Sequence, residues 1–397
     1  MPVDLPPGVE IFVQNKIGGV QSFFESLSRV GCFAPYAARY VALDCVEDPD
    51  TRLRRRLDGA PMEVFSYSRD EYVYDTLARL SHRITPGPGI ALTNFGLELA
   101  CLDVHRRPDV TIFHFTHDEA YVPIALRFAH IVDVFVAHNP YFAQVLRDAL
   151  PKHRASDVAF LPFGIDQSLD LRRTPRTAGA LRIVFVGRLH SSKGVLLLPT
   201  LDDHLRQAGV EADWIVLGSG PDRERLQGAL GGRRNFAVES PPGRRELLQR
   251  AAEGDVLVLP SLLDGTPVAL MEGMSVGLVP VVTEFNPGVR WLVPDDAGLV
   301  CARNDAACLS AHLVRLARDR PELERRSHAA LRHARQQFDM ERHGRGYGEA
   351  LSQWRELKRP YSGPPHRYSG RLDHPLIPRA FATLIRSLKR RRRQQRD

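Results

Sequence analysis

The sequence has few cysteines and no long apolar run, and each shortage removes a class of protein. Among 397 residues there are five cysteines, Cys32, Cys45, Cys101, Cys301 and Cys308, scattered and without a Cys-x-x-Cys pair. That argues against a zinc site or a disulfide framework and fits a reducing cytosol. The N-terminus, MPVDLPPGVEIF, lacks a basic region followed by an apolar core, and nowhere do apolar residues run long enough for a membrane-spanning helix. The expectation is a cytoplasmic protein, neither secreted nor membrane-spanning. Repeats and low-complexity segments are lacking too.

What is present is the composition of a globular protein: 43% apolar and 25% charged residues, in a chain long enough for two sizeable domains. The net charge of +7 suggests anionic partners. Much of that excess sits in the last thirty or so residues, so it describes a tail more than a fold. With no recognised nucleic-acid module beside it, this basicity does not support nucleic-acid binding.

Along the chain, strand and helix patterns alternate. Val9 to Val13 reads as a strand leading through Gly18-Gly19 into a helix with Val20, Phe23, Phe24, Leu27 and Val30 at helical spacing. A strand, a glycine turn and a helix bring backbone amides up to a phosphate or sugar, although turn chemistry alone also accounts for the pair. From Tyr40 to Val136 the alternation is that of a doubly wound α/β domain. Ligands in such sheets bind beyond the carboxyl ends of the strands. His117 ends the strand VTIFHFTH and falls on that rim, whereas His114, inside the strand, reads as a packed histidine. Residues 1–168 are expected to form the first domain, 169–180 a polar linker, 181–337 a second domain, 338–359 a helix crossing back, and 360–397 a basic tail. The second domain opens with LRIVFVGRLHSSKGVLLL. Gly187 ends its strand, and Arg188 and Lys193 place two cations at the rim where they would converge on a diphosphate.

The most informative stretch runs from Asp255 to Thr283. Two short apolar runs, Val256 to Leu259 and Leu278 to Val282, read as strands buried on both faces. Between them Thr266 is the expected N-cap and Pro267 the first helical residue. Gly277 is the expected stop for a helix over 268–276. Asp264 precedes this helix and Glu272 lies inside it. Unpaired first-turn amides offer an anion site, and a carboxylate beside them accepts hydroxyl protons. Amides for phosphate plus a carboxylate for a vicinal diol describe a nucleotide-sugar site.

PSLLDGTPVALMEGMSVGLVPVV resembles the donor motif of the retaining, Leloir-type glycosyltransferases of family 4: two acids separated by seven residues, with Asp264 here where the family has glutamate. The Gly-Arg-Leu and Lys-Gly-Val runs around Arg188 and Lys193 are similar to that family as well. The resemblance implies the GT-B fold, in which two Rossmann-like doubly wound α/β domains face a cleft. It implies contacts to the donor sugar from Asp264, Gly265, Thr266 and Pro267, and to the ribose from Glu272. Gly187, Arg188 and Lys193 would serve the nucleotide diphosphate, and the Gly18-Gly19 loop would border diphosphate and acceptor. His117 would lie near the donor sugar. The resemblance further implies a UDP- or GDP-linked co-substrate with no other cofactor, no metal, retention of configuration, and a glycan or lipid-linked acceptor. The alternatives are a non-catalytic GT-B scaffold that binds glycan or nucleotide, and a nucleotide-sugar 2-epimerase. In the tail, Ile377, Ala380, Phe381, Leu384, Ile385 and Leu388 form a helical stripe beside Arg379, Arg386 and Arg390 to Arg393. This reads either as an interfacial helix on an anionic membrane or as a stripe packed on the first domain.

Overall fold

The structure is a computed structural model that describes residues 6–16, 18–48, 53, 56–368, 381 and 385. It contains two compact units. One comprises Met1–Ala137, Ala143–Ala159 and Gly346–Asp397; the other comprises His138–Phe142 and Phe160–Arg345.

In the first unit the strands are β1 (Gly8–Gln14), β2 (Ala37–Cys45), β3 (Met62–Tyr67), β4 (Gly89–Thr93), β5 (Val110–Thr116), β6 (Val134–Ala137) and β7 (Val158–Phe160). They form one sheet in the order β3-β2-β1-β4-β5-β6-β7, with parallel pairing from β3 through to β6. The buried central strands are near-continuous apolar runs, as parallel strands covered on both faces must be. The second unit holds β8 (Leu181–Val186), β9 (Ala212–Leu217), β10 (Phe236–Glu239), β11 (Val256–Leu259), β12 (Val279–Thr283) and β13 (Leu299–Cys301). Their order is β10-β9-β8-β11-β12-β13, all parallel. The expected two doubly wound α/β domains are therefore present. In each sheet the direction of winding reverses at one place, between β1 and β4 and between β8 and β11, and a crevice opens there at the carboxyl ends.

Trp214 stacks on Phe236 at 5.1 Å in the core of the second unit, beside Phe185, Val258, Val281 and Leu313. Residues 169–180, expected as a linker, lie within this unit. Their Arg173 is buried and pairs with Asp255 at 3.2 Å, while its Nε donates to Ser327 at 2.8 Å. A polar, proline-bearing composition signals solvent exposure only when no buried acid awaits its arginine. The chain returns to the first unit within the helix Met340–Ser352.

One further reading is corrected. Cys301 and Cys308 form a disulfide with Cα atoms 5.9 Å apart, while Cys32, Cys45 and Cys101 are buried thiols. The spacing hid this pair because Cys301 ends a strand and Cys308 sits in the first turn of the next helix, Ala306–Arg318, so a tight connection folds one over the other. The start of the tail packs on the first unit. Tyr361 donates to the carbonyl of Arg107 at 2.7 Å, and Tyr368 donates to the Asp103 carboxylate at 2.6 Å. The stripe from Ile377 to Leu388 lies, apart from Phe381 and Ile385, outside the described residues. No helix among the described residues is long and apolar enough to cross a membrane.

Candidate functional site

The sequence-expected residues of the second unit gather at the β8/β11 crevice. Gly187 and Gly218 end β8 and β9 with φ of 155° and 153°; a Cβ on Gly218 would lie 1.9 Å from the Gly187 carbonyl oxygen. The strand ends approach so closely that only glycine fits. Next comes the loop from Arg188 to Gly194. Gly194 has φ of 70°, and a Cβ there would meet the Pro260 carbonyl oxygen at 2.0 Å. The loop is thus pressed against the segment after β11, and the Leu262 amide donates to the Ser192 carbonyl at 2.9 Å.

This contact has a chemical result. Lys193 Nζ lies 2.7 Å from Asp264 Oδ2, so the residue expected at the diphosphate and the one expected at the donor sugar form one ion pair. Arg188, on the same loop, is exposed, with no side-chain hydrogen bond or ion pair among the described residues. The carbonyls of Asp264 and Gly265 accept from Asn286 Nδ2 at 2.7 and 3.0 Å, and Asn286 is fully buried. Asn286 therefore fixes the backbone of the acidic loop. Nothing in the sequence singled it out, because it acts from the loop after β12.

The helix that follows runs Val268–Ser275 with Pro267 as its N-cap, one residue later than expected. Thr266 does not cap it; its Oγ1 accepts instead from Asn139 Nδ2 at 3.2 Å. Competition from a distant amide overrides the local capping preference. The amides of Val268 and Ala269 remain at the helix start, without intrahelical acceptors by position. Gly277 ends the helix at φ of 90°, as expected, and the Leu278 amide reaches back to the Gly273 carbonyl at 2.9 Å.

Glu272 is buried, 9% exposed, on this helix. Burial raises its pKa, against the opposing pull of the Arg244 guanidinium. Arg244 Nε donates to Glu272 Oε1 at 2.6 Å, and Arg244 Nη2 donates to the Asp166 carbonyl at 2.6 Å. Arg244 was not anticipated; it opens the helix Arg244–Ala251 after β10, and only the strand order brings it to Glu272.

In the first unit the rim sets His117 through hydrogen bonds, while Lys16 and Asp48, which follow β1 and β2, pair at 3.1 Å. His117 follows β5, and its Nε2 lies 2.6 Å from Asn94 Oδ1. Asn94 follows β4, is fully buried, and donates from Nδ2 to the Phe12 carbonyl at 2.5 Å. That second bond fixes which amide atom faces His117, so Nε2 of His117 carries the proton. Phe115 and Tyr121 flank the ring at 6.3 and 5.5 Å. Behind Asn94 the buried Glu98 carboxyl accepts from the Asn94 amide at 2.7 Å and from the Phe95 amide, and burial pushes its pKa up to about 7. Gly18 and Gly19 open the helix Gly19–Arg29. Gly18 is fully extended, so its conformation does not demand glycine; both residues are exposed. His114 is the packed histidine expected, fully buried, with a pKa pushed down to about 3 by burial.

A surface hollow of about 520 Å³ beside Asp296, Arg325, Arg326 and Arg332 holds none of these residues. It is a gap between long charged side chains on the helix Arg320–Gln337.

Residues 180–319 match the family described as Glycosyl transferases group 1. WcaL of Escherichia coli K12, which carries the name of a colanic acid biosynthesis glycosyltransferase, is 32% identical over 40% of this chain and 41% of its own length. The amylovoran biosynthesis glycosyltransferase AmsK of Erwinia amylovora is 33% identical over 34% of this chain and 36% of its own. These matches thus span about two fifths or less of the curated relatives' length. Sucrose-phosphate synthase from Thermosynechococcus elongatus shares the fold with a TM-score of 0.72 at 15% identity, over 88% of this chain and 99% of that one. HepE of Anabaena, solved with UDP and glucose, does so with a TM-score of 0.68 at 16% identity, over 87% and 100%.

Proposed function

We propose that this chain, which through residues 180–319 belongs to group 1 of the glycosyl transferases and has the GT-B fold, transfers a sugar from a nucleotide-sugar donor to a glycan or lipid-linked acceptor. Polysaccharide assembly is the context that the names of its relatives support, and the UDP and glucose held by a protein of the same fold support the donor class. The observation that carries the reading is the β8/β11 crevice. There Lys193, Asp264, exposed Arg188 and the start of the helix Val268–Ser275 meet at one strand rim.

When the bond between the anomeric carbon and phosphate breaks, the leaving nucleoside diphosphate gains negative charge. Fixed cations and helix amides whose hold grows with that charge lower the barrier. Arg188 and Lys193 are the cations, Gly187 lets the backbone approach, and the amides of Val268 and Ala269 face the anion. These groups supply the positive charge without a metal. Asp264, Gly265, Thr266 and Pro267 contact the donor sugar, and Glu272 accepts from the ribose hydroxyls. In the first unit Gly18 and Gly19 present amides and His117 meets the sugar. The reaction retains configuration.

Thermal unfolding with UDP, GDP and ADP tests this, since a ligand that binds only the folded chain raises Tm. One of the three is expected to raise it, and the matching nucleotide sugar to be hydrolysed slowly without acceptor. No shift from any of them at millimolar concentration removes the reading. The basic tail extends it to a membrane-bound acceptor. Anionic vesicles are expected to sediment the protein at low salt and not at high salt, each basic residue contributing about 1 kcal/mol. A chain ending after Tyr368 keeps the strapped segment and is expected to stay in solution. If it sediments as the full chain does, the tail is not the anchor.

A further inference from the structure

A carboxylate taken out of water loses its hydration, and without a compensating charge it takes up a proton instead. Glu272 is in this position. It is buried inside a helix, yet its assigned work, accepting two hydroxyl protons from a ribose, requires the ionised form with its oxygens correctly aimed. The other carboxylate acting on it, Asp166, makes ionisation harder. The cation acting on it is Arg244.

The guanidinium of Arg244 is held by more than Glu272. Its Nη2 donates to the Asp166 carbonyl at 2.6 Å, and Nη1 lies 3.6 Å from the Asp166 carboxylate. A planar guanidinium anchored on one edge has no freedom left in the direction of its Nε–H. That third bond, 2.6 Å to Glu272 Oε1, is therefore aimed by Asp166 and leaves Oε2 to meet a ligand. A lysine ammonium would supply the charge without the aim.

We propose that Arg244 is a positioning residue of the nucleotide site, which keeps Glu272 ionised and fixes the direction of its free oxygen towards the vicinal hydroxyls of a ribose. This rests on the reading of Glu272 given under Proposed function. Arg244 then acts on the nucleotide through Glu272 and needs no contact with it. Its removal makes nucleotide affinity depend on pH: Glu272 is protonated at the acidic end, where the loss is largest, and ionises as pH rises, where affinity returns.

Calorimetry with UDP and GDP between pH 6.5 and 8.5 tests this on the full chain, comparing each variant with the unaltered protein at every pH so that the ligand's own ionisation cancels. Arg244→Met is expected to weaken binding on the order of tenfold at pH 6.5 and by a shrinking factor towards pH 8.5. Arg244→Lys restores the charge and is expected to give a smaller loss that does not vary with pH. Arg244→Gln, which keeps a donor for Asp166, provides the neutral variant if Arg244→Met does not fold. Glu272→Gln is expected to weaken binding by a constant factor, and adding Arg244→Gln to it to change nothing further. A loss that is flat with pH in both neutral variants overturns the proposal, as does tighter binding, which would mean that Arg244 competes with the ribose for Glu272. If Glu272→Gln itself binds as well as the unaltered chain, the ribose reading fails first. If it binds weakly while the Arg244 variants bind normally, the ribose reading stands and the role of Arg244 falls.

Discussion

The two sheets share a winding order and differ in what they set at the rim. The crevice of the second unit is held by charge: Lys193 against Asp264 and Arg244 against Glu272. At the rim of the first unit His117 is held by neutral hydrogen bonds, His117 to Asn94 and Asn94 to the Phe12 carbonyl, with a buried carboxyl behind them. One topology therefore delivers two chemistries, because topology fixes where strand ends meet and leaves the side chains there open. A charged crevice suits a diphosphate and a ribose. The neutral bonds around His117 suit the hydroxyls of a sugar, whose recognition asks for aimed donors and acceptors more than for net charge.

The largest test of the difference is Lys193→Ala. On the proposed reading this removes a cation that faces the leaving diphosphate, and it is expected to lower turnover about 10²- to 10³-fold while changing donor affinity far less. Steady-state kinetics with calorimetric donor binding checks it. Equal losses in both quantities would confine Lys193 to ground-state binding and weaken the contrast with the first unit.

Next in size is the buried carboxyl behind Asn94. Glu98 has its folded pKa raised from 4.5 to about 7 by burial. Its contribution to stability is therefore fully present below about pH 4.5 and is lost as pH rises through 7. The change is on the order of 3 kcal/mol. In Glu98→Gln the amide oxygen still accepts from the Asn94 and Phe95 amides without titrating, so this pH dependence is expected to vanish. Chemical denaturation at pH 5 and pH 8 measures it, and an unchanged pH profile in the variant assigns the dependence to other groups.

The glycines sharpen the comparison at the backbone. Gly194→Ala places a Cβ 2.0 Å from a carbonyl oxygen at φ of 70° and is expected to cost about 2 kcal/mol or more. Gly18→Ala meets only a side-chain oxygen at 3.4 Å, in extended backbone, and is expected to change stability by less than about 0.5 kcal/mol. Similar unfolding curves for the two variants would show that the second loop relaxes. An effect between those of the two glycines is expected of Asn94→Ala, which removes the acceptor of His117 and is expected to lower turnover about tenfold. Asn94→Asp keeps an acceptor and is expected to recover much of this. If the aspartate is no better than the alanine, aiming His117 is not what Asn94 does.

Much of this was legible in the chain. Val256 to Leu259 is a strand as read, Gly277 stops its helix with positive φ, and His114 packs inside while His117 reaches the rim. Where reading failed, a distant group had won. Asn139 takes the hydroxyl that Thr266 was expected to lend to its helix. Asp255 draws Arg173 out of an expected linker. Cys308 turns back onto Cys301. For the tail that begins at residue 360, packing on the first domain was one of two readings left open, and its start is held there by bonds from Tyr361 to Arg107 and from Tyr368 to Asp103.

The sequence by itself determined the elements, their alternation and the kinds of group set at the strand ends. Those depend on apolar period, glycine conformation and helix termini, all of which act within a few residues. Only the tertiary structure decided which charges meet. Lys193 and Asp264 stand on successive rims because β8 pairs with β11, and Arg244 reaches Glu272 from the helix after β10. A 2.6 Å contact between residues 28 apart in the chain is a property of strand order. Strand order is set by burial summed over the whole sheet, a quantity that no local stretch of residues contains.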